Sequence, residues 1–249
     1  MQRLGVATAA GYVVVIGSFI LLWHVMSVVW PSIMPNPLAS FHFAYTLKEE
    51  LLGDSLITLS NTLAGFLIAL TLAIASAGLA RLNRYARMVV EALNTIIQSV
   101  SALVWALFFL LIFGFASKAP AISVAAATAY PILLSSILKG FEYAESEYGE
   151  VAKLVRASRL QSLRYILLPA STPFIVAASR SAIGSALRIS VVAEAFGASG
   201  GIGYRLWLFY EVHEYRGFMS WAFTLLLLML LIDKLLLEPV ERWARKWQE

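Results

Sequence analysis

The side chains best able to do chemistry in this 249-residue sequence are charged groups set inside apolar stretches. Arg180, Arg188 and Glu194 fall in one largely apolar run, 173–196. A charge near the middle of a bilayer costs at least about 2.5–3.5 kcal/mol. Each of the three therefore needs a partner, a protein interior or a water-filled path. Arg180 and Arg188 are set about 80° apart around a helix, so they can border one cavity without lying on one line. Two readings of Arg188 stand side by side: it lines a path and favours an anionic solute, or it pairs with Glu91, Glu194 or a partner subunit. Arg180 has a structural reading as well, as a pair near the inner surface. Glu194 could pair or cap rather than touch solute.

Other chemistries lack their residues. There is no cysteine, which removes thiolate ligands, disulfides and a thiol nucleophile. The three histidines, His24, His42 and His213, lie far apart and show no ligand spacing, so no metal site is expected. The glycine-rich run 197–203 follows an apolar helical segment rather than a strand, which argues against a dinucleotide fingerprint. No phosphate-binding P-loop is present, so no ATP is expected to be hydrolysed by this chain and no cofactor is expected on it.

The elements that must hold these residues are membrane helices. Hydrophobic residues make up 60% of the chain and charged ones 14%, where soluble domains carry about 25% charged. Apolar runs at 5–29, 55–80, 88–115, 121–140, 173–196 and 217–237 are each about long enough to cross a hydrocarbon core. The expected class is all-α, a polytopic membrane protein with about six transmembrane helices in a single domain, 1–249. The first run is too long for a signal-peptide core and no small-residue cleavage site closes it. With the N-terminus placed inside, cytoplasmic segments hold most of the lysines and arginines, so both termini are expected to be cytoplasmic. The net charge of +4 then belongs to membrane loops rather than to nucleic-acid binding. Segment 43–52 reads as a short amphipathic outer helix, Pro131 as a kink, and 197–218 as an external loop or re-entrant turn. Trp30, Trp207 and Trp221 sit near span ends, as an interfacial belt requires.

The most informative segment is the charged cytoplasmic stretch 141–170. Val151, Ala152 and Val155, then Leu163, Ile166 and Leu167, can each face one side of a short helix. Ser158 and Ser162 suit helix starts, and Pro169 is expected to stop the second helix before the fifth span. Two short amphipathic helices between spans either dock on a cytoplasmic partner or lie on the bilayer.

The run from Glu150 to Pro169 resembles the "EAA" loop of ABC importer permeases. Glu150, Ala152, Ile166, Leu168 and Pro169 stand in its register, and Pro173, Arg180, Gly184, Glu194 and Gly201-Ile202-Gly203 continue it. The likeness is to the branch that imports nitrate, sulfonates, taurine and related solutes. It implies a type I ABC importer permease fold in the inner (plasma) membrane. It also implies ABC ATPase subunits that carry ATP and Mg, a second permease copy or sibling, and an extracytoplasmic solute-binding protein. Coupling to the ATPase would fall on Glu150, Val151, Ala152, Arg156, Ala157, Ile166, Leu168 and Pro169, with Ala152 and Ala157 allowing close approach.

Two residues depart from the pattern. Val151 replaces an alanine. Arg156 replaces a glycine that lets the backbone turn, so the bend is expected to be reshaped or shifted; its guanidinium either pairs with an acidic group on the ATPase or stays solvated. The segment around 98–113 also lacks the prolines usual before the apolar run in that branch. An ion-gradient-driven secondary transporter, a membrane-embedded enzyme, and a non-transporting scaffold or energy-coupling subunit of a different ABC class are the competing readings. The chain shows neither the clear inverted repeats expected of the first nor the clustered polar groups expected of the second.

Overall fold

A computed structural model describes residues 2–156, 158–237 and 239 of the chain. The described residues contain helices and turns and no strand. In chain order they are α1 (Gln2–Val29), α2 (Pro37–Thr46), α3 (Lys48–Ala80), α4 (Arg84–Ser99), α5 (Ala102–Phe113), α6 (Ala119–Leu154), α7 (Arg159–Ser162), α8 (Leu168–Gly197), α9 (Ile202–Glu211) and α10 (Tyr215–Leu231). A π-helical turn, Leu163–Leu167, joins α7 to α8, and another, Ile232–Leu237, extends α10.

Four helical segments are single spans by length and composition: Lys48–Ala80, Ala119–Glu150, Leu160–Gly197 and Tyr215–Lys234. The run expected as a third straight span is two helices, α4 and α5, bent by 95° at Val100–Ser101. Val100 is extended there, with ψ near 129°, while apolar residues continue on both sides. The described residues therefore give four spans, or five if the bent pair is one, where six were expected; α1 occupies the first expected run.

Small residues set how closely the spans approach. The buried face of α3 carries Gly65, Ala69, Ala73, Ala77 and Ala80, a spacing of about one turn. Without a hydrophobic drive in lipid, such faces pack by close backbone approach. At Gly65 an added Cβ would lie 2.6 Å from both Ala125 Cβ and Ile122 O on α6. The α6–α8 crossing is equally tight, since a Cβ at Gly140 would lie 2.8 Å from Ser171 Cβ. α6 thus forms the centre of the bundle, with α3 and α8 along it and Leu133, Leu134, Ile137 and Leu187 in the shared core. α6 also continues as a helix through Pro131.

Several expected boundaries move. The outer segment 43–52 is not one helix: α2 ends at Thr46 and α3 starts at Lys48, with Asn36 capping α2 through Leu38 N–H. Segment 141–170 is not two free helices, because α6 runs on to Leu154 and the second helix merges with the next span. Pro169 does not stop it; Pro169 sits in the first turn of α8, where its missing N–H costs little. The preceding π turn, with Leu168 N–H bonded to Leu163 O, carries the chain past the proline without a break. Trp221 is no belt residue: it is fully buried, and its indole donates to Asp54.

Candidate functional site: the turn between α6 and α8 and a buried polar set

At its Leu154 end α6 carries charged residues beyond the apolar part of the span. Arg81, just past α3, pairs with Glu145 at 2.7 Å, and Arg87 of α4 pairs with Glu91 and Glu142. These partly exposed pairs link the extension of α6 to α3 and α4. The chain then turns at Val155–Arg156, and Arg156 adopts φ +50°. The bend expected of a glycine is therefore made at the same position, with arginine in the left-handed region. Ser158 starts the next helix with a reciprocal cap: Gln161 N–H donates to Ser158 Oγ at 3.3 Å, and Ser158 N–H donates to Gln161 Oε1 at 2.8 Å. Ser162 makes no such bond.

Around this turn Leu154, Val155, Leu160 and Tyr165 are exposed, each by 65% or more. They alternate with the exposed Arg156 and Arg164. Glu150 is exposed on α6, Ile166 and Leu168 are half-buried, and Pro169 is exposed. Leu167 is the anchor of the segment, buried in the main core. Ala157 and the side chains of Val151 and Ala152 lie outside the described residues.

The three intramembrane charges are not brought together. Arg180 forms a two-pronged pair with Asp233 at the end of α10, with Nε to Oδ1 and Nη2 to Oδ2 both at 2.8 Å. Glu194 is fully buried near the C-terminal end of α8. Its carboxylate accepts from Thr58 Oγ1 at 2.7 Å, Asn61 Nδ2 at 2.9 Å and Gly203 N–H at 3.2 Å. Beside it Asp54 accepts from Gly201 N–H, Arg205 Nε and Trp221 Nε1, and Ile202 N–H donates to Thr58. The Gly201–Gly203 turn is thereby clamped onto α3. Glycine is required at both ends: Gly201 has φ +104°, and a Cβ at Gly203 would lie 1.9 Å from Val191 O. Asp54, Thr58 and Asn61 were missed by the sequence reading. Their signal was present, since they recur at helical spacing on one face of an apolar span.

Arg188 is exposed and makes no hydrogen bond or ion pair among the described residues. The acids weighed as its partners are engaged elsewhere, Glu91 with Arg87 and Glu194 with α3. A cavity of about 390 Å³ lies in the crook of α4 and α5, walled by Ile97, Trp105, Phe109 and Tyr130, whose hydroxyl donates to Ser76 at 3.0 Å.

A helical bundle of this kind, with apolar spans and small-residue crossings, is that of a multi-pass membrane protein. Residues 65–237 match the model of the binding-protein-dependent transport system inner membrane component, and the chain belongs to that family. It is 26% identical over 209 residues to the nitrate import permease protein NrtB of Synechococcus elongatus, covering 79% of this chain and 75% of that one. It is 24% identical to the bicarbonate transport system permease protein CmpB of the same species, covering 92% and 85%. The putative aliphatic sulfonates transport permease protein SsuC of Bacillus subtilis is 26% identical, covering 75% and 69%. Among solved structures, the MetNI methionine ABC transporter in an inward-facing conformation matches with TM-score 0.69 at 19% identity, over 81% of this chain and 97% of that one. An amino acid ABC transporter matches with TM-score 0.68 at 17% identity, over the same shares. The fold is that of type I ABC importer permeases, on the sequence branch of the nitrate and sulfonate permeases.

Proposed function

We propose that this chain is the membrane-spanning subunit of an ATP-driven importer of small anions, and that it docks a separate ATPase through the turn between α6 and α8. The observation that carries the docking is the set of four exposed apolar side chains, Leu154, Val155, Leu160 and Tyr165, at the tip of a charged helix extension. An apolar cluster interleaved with arginines, beyond the acidic stretch of α6, suits a groove on a cytoplasmic protein better than lipid. The ion pairs from Arg81 and Arg87 to α6 support a rigid lever, because packed and paired helices move as bodies rather than deform continuously.

ATP and Mg²⁺ are bound and used by that ATPase. A second copy of the chain, or a sibling, completes the path, and an extracytoplasmic binding protein delivers solute to the outer face. Both termini face the cytoplasm. The anionic solute class is supported by the nitrate, bicarbonate and sulfonate named for the relatives and by Arg188 within a span.

Co-purification in detergent with the ATPase encoded beside it tests the docking. The wild-type chain brings the ATPase down, and the Glu150→Arg variant, altered on the exposed face of α6, does not. Absence of any ATPase association under every nucleotide condition would refute the reading and move an ion-gradient-driven transporter to first place.

A further inference from the structure

From Ala177 to Arg188, the positions of α8 left fully or partly uncovered by the rest of the chain are Ala, Ser, Gly and Arg alone. α5 differs sharply, exposing Leu103, Val104, Leu107, Phe108, Leu111 and Ile112. The α5 surface is one that lipid would cover. The α8 surface is not, because small and polar side chains gain nothing from acyl chains and an arginine is costly among them. Arg188 lies nine residues before the end of α8 at Gly197, about 14 Å in from the outer end at 1.5 Å per residue. With Gly197 taken at the outer edge of a hydrocarbon core about 30 Å thick, that is close to the midplane.

An unpaired guanidinium at this depth needs an anion. Glu91 and Glu194, the acids weighed as its partners, are engaged elsewhere, and Arg180, about two turns inward, already has Asp233. A second copy meeting this face would bring a second Arg188. Two guanidinium groups across an interface repel unless something negative sits between them. The planar fork of arginine donors also matches the oxygens of a planar or tetrahedral oxyanion. We infer that Arg188 is the residue that selects an oxyanion inside the membrane path, donating hydrogen bonds to the solute near the midplane. This inference rests on the importer reading above and adds to it a selecting residue within the permease itself, separate from the binding protein.

The test is a reconstituted complex of chain, ATPase and binding protein in liposomes, with uptake of nitrate, bicarbonate and ethanesulfonate measured against ATP hydrolysed. For whichever of these the wild type takes up, Arg188→Gln and Arg188→Ala are expected to lower uptake per ATP by about ten- to a hundredfold, the weight of a charge-assisted hydrogen bond. Hydrolysis stimulated by the binding protein persists in both, and Arg188→Lys, which keeps the charge but not the planar fork, retains uptake between that of the wild type and that of Arg188→Ala. A purely structural arginine would instead lose hydrolysis and uptake together. Wild-type uptake per ATP in Arg188→Ala overturns the assignment. So does loss of uptake in Arg188→Lys equal to that in Arg188→Ala, or failure of both neutral variants to assemble. If the wild-type complex itself shows no ATP-dependent uptake of any of the three, the importer reading fails first and this inference falls with it.

Discussion

Replacing Glu194 by alanine or by glutamine should give opposite results, and the geometry says why. Alanine removes an acceptor that serves three donors: the Thr58 hydroxyl, the Asn61 amide and the Gly203 N–H. The hydroxyl can rotate toward another acceptor. The other two donors stay buried, at about 1–3 kcal/mol each, so the expected loss is about 2–6 kcal/mol before any cavity cost. Glutamine keeps the shape. Its oxygen can take the position of Oε2, which serves Thr58 and Gly203, while its amide nitrogen faces Asn61. Asn61 Oδ1 is buried without a partner, so a flip of that amide lets it accept the new donor. The number of orphaned atoms is unchanged, and Glu194→Gln should lie within about 1 kcal/mol of wild type. Thermal unfolding of the purified chain in detergent measures the order, and hydrogen exchange at the Gly201–Gly203 amides locates it. The alanine chain should melt well below the other two and lose protection at that turn. Equal melting of the alanine and wild-type chains, or a glutamine chain as weak as the alanine one, would refute the clamp.

Gly203→Ala pushes a methyl against Val191 O and should cost at least about 1–3 kcal/mol, seen as a lower melting temperature with the same loss of protection as Glu194→Ala. Arg156→Gly and Arg156→Asn accept a positive φ and should leave ATPase binding intact, whereas Arg156→Val cannot hold the turn and should lose the ATPase in co-purification. Arg180→Asp and Asp233→Arg should each lower the melting temperature, and the double exchange should recover part of it, because the pair joins α8 to the end of α10. Arg87→Ala breaks two pairs, to Glu91 and Glu142, whose side chains are about half exposed, so its stability should change by no more than about 1–2 kcal/mol, as read by the same melting assay.

Much of the fold was legible because the bilayer imposes one strong rule: an apolar run long enough to cross it becomes a helix. The runs at 55–80, 121–140 and 173–196 lie within observed spans, and 217–237 largely overlaps the span Tyr215–Lys234. The break at Val100–Ser101 was hidden because hydropathy is blind to a change of direction within an apolar run, and neither Gly nor Pro marks it. Pro169 misled for the opposite reason. Proline is punctuation in a helix interior but is tolerated in a first turn, and the π turn before it shifts which kind of position it occupies. At the cytoplasmic turn the Ser158 start was legible from its type, and the observed partner is Gln161. The outer clamp was legible only by half. Glu194 and the glycines stood out, but Asp54, Thr58 and Asn61 were passed over because single polar residues in a long apolar helix look incidental until a carboxylate from another span faces them.

The central claim is that the α6–α8 turn seats in an ATPase. The chain contains no cysteine, so a single one placed at the exposed Leu160 reports on that contact without background. Oxidative cross-linking of the Leu160→Cys chain to ATPase subunits carrying cysteines in their membrane-facing groove is the direct measurement. The account predicts a cross-linked product whose yield changes with bound nucleotide, and none from a cysteine placed at Tyr45 on the outer helix α2. No product from Leu160→Cys in a complex that still transports would contradict it.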